Sequence, residues 1–177
     1  MPNLNVSLRR SSRRLQLRSR ERTVACLRLL AELTGWAATL PPDAELQVEF
    51  AGRRRMARWN RQFLGHAGAT DVLAFPRPAT GLPPDPDAGG ILAGELAVCP
   101  AVAETAAARY GTTPAEELLL YLVHGLLHLA GEDDHTPAGK RRMRRREQRL
   151  LVQLRSAGFT GEALFAFRQP PPTPPGR

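Results

Sequence analysis

Leu4, Val6 and Leu8 alternate with Asn5 and Ser7, the period-two pattern of a half-buried strand. After a basic stretch from Arg9 to Arg22, Val24, Leu27, Leu30 and Leu33 fall at helical spacing and predict a helix from Glu21 to about Thr34, with Gly35 placed to stop it. Pro41 and Pro42 mark a turn. From Glu45 to Phe50 the alternation is clean: Leu46, Val48 and Phe50 share one face, and Glu45, Gln47 and Glu49 the other. Residues 52–64 read as a basic helix with Met56, Trp59 and Phe63 inward and Arg53, Arg54, Arg55 and Arg58 outward. Asp71 to Phe75 is a short apolar strand closed by Pro76, and Pro76 to Gly90, rich in Pro, Gly and Asp, reads as a loop. Ile91 to Cys99 restores a strand and Ala101 to Tyr110 an alanine-rich helix. Thr113-Pro114-Ala115-Glu116 has the N-cap, the proline at the first helical position and the glutamate of a capping box, so a helix runs from 114 to about 130 with Gly131 as its left-handed terminator. A last helix spans roughly 138–156. This order predicts an α+β domain with a small mixed four-stranded β-sheet packed with about five helices. The strands are too few and too irregularly spaced for a doubly wound parallel sheet.

Composition narrows the partner more than the fold. A chain of 177 residues suits one domain, here 1–167, followed by a proline-rich tail over 168–177. The formal charge is +8, and Lys140 is the only lysine. Arginine bias fits a GC-rich genome, but the excess of cations over anions favours a polyanion such as nucleic acid. Arg53, Arg54 and Arg58 in the first basic helix and Arg141, Arg144 and Arg145 in the last are the candidates for contact with it. Aromatics make up 6% of the chain, too few for base-stacking platforms of the RRM kind. Cys26 and Cys99 stand apart without CxxC spacing, which excludes a zinc ribbon and points to a reducing compartment. No apolar run approaches the roughly 20 residues of a spanning helix. The Arg/Ser-rich start has the composition of a transit peptide, yet the alternation of Leu4, Val6 and Leu8 argues for a strand built into the fold.

The chemistry gathers in one helix. Between 114 and 130 the apolar residues leave almost no polar stripe, so the helix is buried. It nevertheless carries His124 and His128, which at i and i+4 project from one face close enough to share a metal ion. Gly131 lets the chain reverse, so that His135 can return as a third ligand; three imidazoles with an open fourth position describe a catalytic zinc. A core histidine is usually just hydrogen-bonded, but three in twelve residues around a helix terminator are hard to explain that way. Asp133 and Asp134 can ligate in place of a histidine or orient one. In HExxH proteases a glutamate follows the first histidine as general base. Here Gly125 stands there, so the protease reading loses its base but not its metal, and zinc alone lowers the pKa of water to about 7. Glycine beside a ligand admits a bulky substrate; close helix packing is an equal explanation.

The segment His124-Gly-Leu-Leu-His-Leu-Ala-Gly-Glu-Asp-Asp-His135 resembles the signature HGxLHLxGxDH of the YbeY family of bacterial endoribonucleases. Asn60-Arg61-Gln62-Phe63 followed by Thr70-Asp71-Val72-Leu73 to Pro76 is similar to the family's NRxYRxxxxxTDVLSFP, and Gly94-Glu95-Leu96 to its GDL strand. The resemblance covers about residues 45–137. It implies the zincin-like YbeY fold with the metal helix in the core. It also implies a zinc-dependent, single-strand-specific endoribonuclease of the bacterial cytoplasm that matures the 3′ end of small-subunit (16S) ribosomal RNA and takes part in ribosome quality control. Its partners would be the small ribosomal subunit, with a ribosomal protein or an assembly GTPase, and no membrane. By position, His124, His128 and His135 match the metal ligands, one Zn2+ per chain or another transition metal. His124 is also a catalytic residue in this reading, and Arg61 matches an arginine that lines the cleft, where a planar cation grips a scissile phosphate. The two other expectations are a non-catalytic ribosome-assembly factor with a structural zinc and a metal-dependent hydrolase of another substrate. Two features depart from the family: one extra residue in Glu132-Asp133-Asp134, and the strongly basic first segment and last helix.

Overall fold

A computed structural model describes residues 4–77 and 91–168. The predicted loop beyond Arg77 and the tail beyond Arg168 lie outside the described residues. The N-terminal alternation forms β1 (Asn5–Arg10), and Leu15–Leu17 forms a short β2 within the stretch read only as basic. Helix α1 (Arg20–Thr34) starts at Ser19, whose side chain accepts from the Arg22 N–H, and stops at Gly35 in the left-handed conformation, φ 82°. After a 3₁₀ turn over Trp36–Thr39 come β3 (Ala44–Phe50), α2 (Arg53–Trp59), β4 (Val72–Pro76), β5 (Ile91–Val98) and α3 (Pro100–Tyr110). Then follow α4 (Pro114–Leu129), α5 (Pro137–Ser156), the short α6 (Gly161–Leu164) and β6 (Phe165–Phe167).

The main sheet has the order β1-β3-β5-β4, with the first three strands parallel and β4 antiparallel to β5. This is the mixed four-stranded sheet expected, with α6 added to the five helices. The expectation omitted a second sheet, in which β2 pairs antiparallel with β6 and joins Leu15–Leu17 to Phe165–Phe167. Three residues are too few for periodicity to register, and the pairing spans nearly the whole chain.

Helix α4 lies against one face of the main sheet, enclosed by α1, α3, α5 and α6. On that face β3 contributes Leu46, Val48 and Phe50, and β5 contributes Leu96 and Val98. The opposite face carries a second, smaller core under α2, formed by Ala51, Met56, Leu73, Ala97 and Cys99. Helix α2 ends sooner than its pattern predicts. A π-helical turn over Asn60–Leu64 follows Trp59 and rotates the side chains, so Phe63 is 51% exposed instead of inward, edge-on to Phe75 at 5.0 Å between centroids. Cys26 and Cys99 are buried free thiols, and burial pushes Cys26 up to about 12. Among the described residues no helix is long and apolar enough to cross a membrane.

The start of α4 follows its sequence signals. The Thr113 side chain accepts from the Glu116 N–H while the Glu116 carboxylate accepts from the Thr113 N–H, completing the capping box. Thr113 also donates to Glu162 in α6, which ties the two helices together. Thr113→Ala is therefore expected to lower stability by about 1–2 kcal/mol, read as a lower denaturation midpoint at unchanged slope.

Candidate metal centre

Apolar packing on all other sides of α4 leaves His124 and His128, one turn apart, on the strip facing α5 and the loop that follows Gly131. Their rings meet edge to face with Nε2 atoms 2.9 Å apart. What the other ring nitrogens do decides what can lie between them. His128 Nδ1 is 2.9 Å from the backbone carbonyl of Glu132, which only accepts, so Nδ1 carries the hydrogen. His124 Nδ1 donates to the Glu147 carboxylate of α5 at 2.6 Å. Two neutral rings held in this way point two lone pairs at each other, which is repulsive unless a proton or a cation lies between them. Two nitrogens on one tetrahedral zinc stand roughly 3.3 Å apart, so the pair fits a metal after a small separation.

The third member of the cluster comes from the loop. Asp134 Oδ1 lies 3.8 Å from His128 Nε2, and His124, His128 and Asp134 offer ligand atoms all within 4.8 Å of one another. His135, the third ligand expected from the sequence, is not in this group. Its ring is 90% exposed and lies 3.6 Å from Asp133, in a neighbouring group of Asp133, Asp134 and His135. The turn shows why: Gly131, φ 87°, closes α4 by donating to the His128 carbonyl, and the His135 N–H is taken by the Asp133 side chain. The loop then passes over the first turn of α5, where a Cβ on Gly139 would stand 2.5 Å from the Asp133 carbonyl oxygen. In this loop Asp134 reaches the pair and His135 turns outward.

Charge around the pair is arranged chiefly by Glu147, which the sequence did not single out. Burial works against a charged His124, but the hydrogen bond and charge of Glu147, with Asp71 and Asp134 farther off, outweigh it and raise its pKa above the usual 6.5. Asp71 is held at the head of β4 by Thr70 Oγ1 and the Val72 N–H, both at 2.8 Å. The carboxylate of Glu132 pairs with Arg146. Glu147 is the one acidic residue of α5, and a lone acid in an arginine-rich helix was the available signal for it. Glu147→Gln keeps the shape but weakens the hold on the ring, so metal affinity is expected to fall about 10–100-fold, measured by competition with a chromophoric chelator. Unchanged affinity would sever Glu147 from the site.

The remaining candidates scatter. Arg61 is exposed on the π-helical turn, and among the described residues its guanidinium has no hydrogen bond or ion pair with the histidine cluster. The second arginine of the NRxYR pattern falls on Leu64, itself 54% exposed, so Arg61 is the only arginine of this turn. Arg53 is bound to the Ala101 carbonyl and Thr105 of α3, whereas Arg54 and Arg58 stay exposed. Arg141, Arg144 and Arg145 are all exposed on α5, but Arg144 lines a cavity with Asp71, Glu117 and Tyr121, and Arg145 a groove with Gly131, Glu132 and Asp133. Gly125 is a packing residue, since a Cβ there would come within 2.8 Å of Leu96 Cδ2 and 2.9 Å of Val72 Cγ2.

Several known proteins resemble this chain in sequence. The sequence matches the family described as Endoribonuclease YbeY over residues 8–155. Endoribonuclease YbeY of Leifsonia xyli is 39% identical over 132 residues, covering 72% of this chain and 84% of its own length. That of an Anaeromyxobacter is 37% identical over 141 residues, covering 79% and 69%, and that of Chlorobium luteolum is 38% identical over 110 residues, covering 62% and 74%. A solution structure from Thermotoga maritima aligns with 88% of this chain and 93% of its own, at 24% identity and a TM-score of 0.49. The chain belongs to the YbeY endoribonuclease family.

Proposed function

We propose that this protein is a metal-dependent endoribonuclease that cuts single-stranded RNA and matures the 3′ end of small-subunit ribosomal RNA. The observation that carries the reading is the pair of imidazoles whose Nδ1 atoms are both engaged and whose Nε2 atoms face each other at 2.9 Å. Membership of the family supports RNA as the substrate, as does the charge of +8. His124, His128 and Asp134 would hold the ion, with His135 close enough to join or replace Asp134 after a loop movement. Nitrogen and oxygen donors suit zinc, which would supply a Lewis acid and water of lowered pKa.

The residues of the chain do the positioning. Glu147 and the Glu132 carbonyl keep both histidines in the tautomer that leaves Nε2 free. Asp71 and Asp134 set a negative potential that favours a cation at the pair. Arg61 is the candidate to meet a phosphate, as an exposed cation on the π-helical turn. We assign the reaction to the bacterial cytoplasm, with the small ribosomal subunit and a ribosomal protein or assembly GTPase as partners. Residues 1–167 would act as one domain, a reading supported by the pairing of β2 with β6. Metal analysis of Asp134→Ala beside His135→Ala tests the ligand set. Asp134→Ala is expected to lose more than half of its bound metal and His135→Ala to keep most of it; the reverse order would return the third position to His135.

A further inference from the structure

Helix α5 sorts its arginines. Met143, Leu150 and Leu154 turn into the core, Glu147 holds His124, and Arg146 is committed to Glu132 and the Thr34 carbonyl. Beside that buried strip stand Arg142, Arg145 and Arg149, spaced i, i+3 and i+7 along one edge of the helix and all exposed. Together with Gly131, Glu132 and Asp133 they line a groove of about 500 Å³. Among the described residues none of the three has a carboxylate partner; of the two acids that line the groove, Glu132 is paired with Arg146 and Asp133 accepts from the His135 N–H. Like charges at this spacing destabilise a helix, so three unpaired guanidiniums on two turns act against folding and call for an external anion. The groove is lined by Gly131, Glu132 and Asp133, which immediately precede Asp134, so a polyanion lying along these arginines meets the loop that carries Asp134.

We infer that Arg142, Arg145 and Arg149 form a track for the backbone of single-stranded RNA, gripping phosphates next to the one that is cut. The inference rests on the ribonuclease reading and adds to it the direction from which the strand approaches. Guanidinium forks match phosphate oxygens two at a time without reading a base, so the track adds affinity and register but no sequence preference. Its cationic partner on the other side of α5, Arg144, faces the acidic cavity of Asp71 and Glu117 and is not part of it.

The test uses the full chain with its metal and the triple variant Arg142→Gln, Arg145→Gln, Arg149→Gln. None of the three touches the histidine pair, and their exposure keeps folding intact, checked by a melting temperature no lower than that of wild type. For cleavage of a single-stranded RNA 20-mer, KM is expected to rise at least tenfold with kcat within twofold. Binding is measured separately on single-stranded DNA of the same sequence as an uncleaved backbone probe. There, three phosphate contacts at about 0.7 each predict a slope of log affinity against log salt that is shallower by about 2. If the variant matches wild type in KM and in slope, the track is overturned while the ribonuclease reading stands. If wild type cuts no RNA yet the slope still depends on these arginines, the ribonuclease reading fails and the nucleic-acid contact survives. Displacement of the DNA by polyglutamate at equal charge concentration would also overturn the proposal, in favour of an acidic polypeptide on this groove.

Discussion

Replacing His124 with alanine is expected to abolish stoichiometric metal binding and to slow cleavage of single-stranded RNA at least about a thousandfold. Charge stabilisation by a bound metal amounts to several kcal/mol of barrier, and each 1.36 kcal/mol is a factor of ten in rate. The variant removes one of the two nitrogens that face each other at 2.9 Å and leaves the Glu147 carboxylate half-buried without its partner. Some loss of stability is expected from that orphaned charge, so a melting curve accompanies the assay. His66→Ala, an exposed histidine in the loop before β4, is the control and should keep both metal and activity. A metal-free His124→Ala protein that cleaves within tenfold of wild type would refute the catalytic assignment.

The second large effect is on folding. Restoring the protease-like glutamate, Gly125→Glu, is expected to destabilise the protein by more than about 4 kcal/mol and to confer no peptide hydrolysis. A Cβ at this position already meets Leu96 Cδ2 at 2.8 Å and Val72 Cγ2 at 2.9 Å. The carboxylate beyond it would be driven into the apolar contact between α4 and the sheet, without a partner. Gly125→Ala separates the two parts of the penalty: overpacking of about 1–3 kcal/mol, offset by roughly 1 kcal/mol of helix propensity. Chemical denaturation reads both variants. A Gly125→Glu protein with an unshifted midpoint would mean that the helix does not approach the sheet as described.

These two positions also show how a sequence reads and misreads a site. His124 and His128 were legible because the helix containing them is otherwise apolar, and a polar pair at i and i+4 on such a surface needs a reason. Gly125 was ambiguous: glycine next to a ligand can make room for a substrate or for a strand, and only the positions of Leu96 and Val72 choose the strand. Phe63 was misread because hydrophobic spacing assumes 3.6 residues per turn, and the π-helical turn over Asn60–Leu64 breaks that assumption. Glu147 was passed over among the cations of α5, although it completes the site from 23 residues away.

Local chemistry therefore carried the element order, the capping box at Thr113, the left-handed stops at Gly35 and Gly131, and the i, i+4 histidine pair of α4. Each depends on interactions among residues a few positions apart, which a pattern records directly. Tertiary structure alone decided three things: that Asp134 and not His135 stands beside the pair, that Glu147 orients His124, and that Arg144 and Arg145 line different cavities. Loop path, helix rotation and charge pairing across elements depend on distances in space. The path of the Glu132-Asp133-Asp134 loop sets which side chain stands beside the histidine pair, while every local signal around it stays the same.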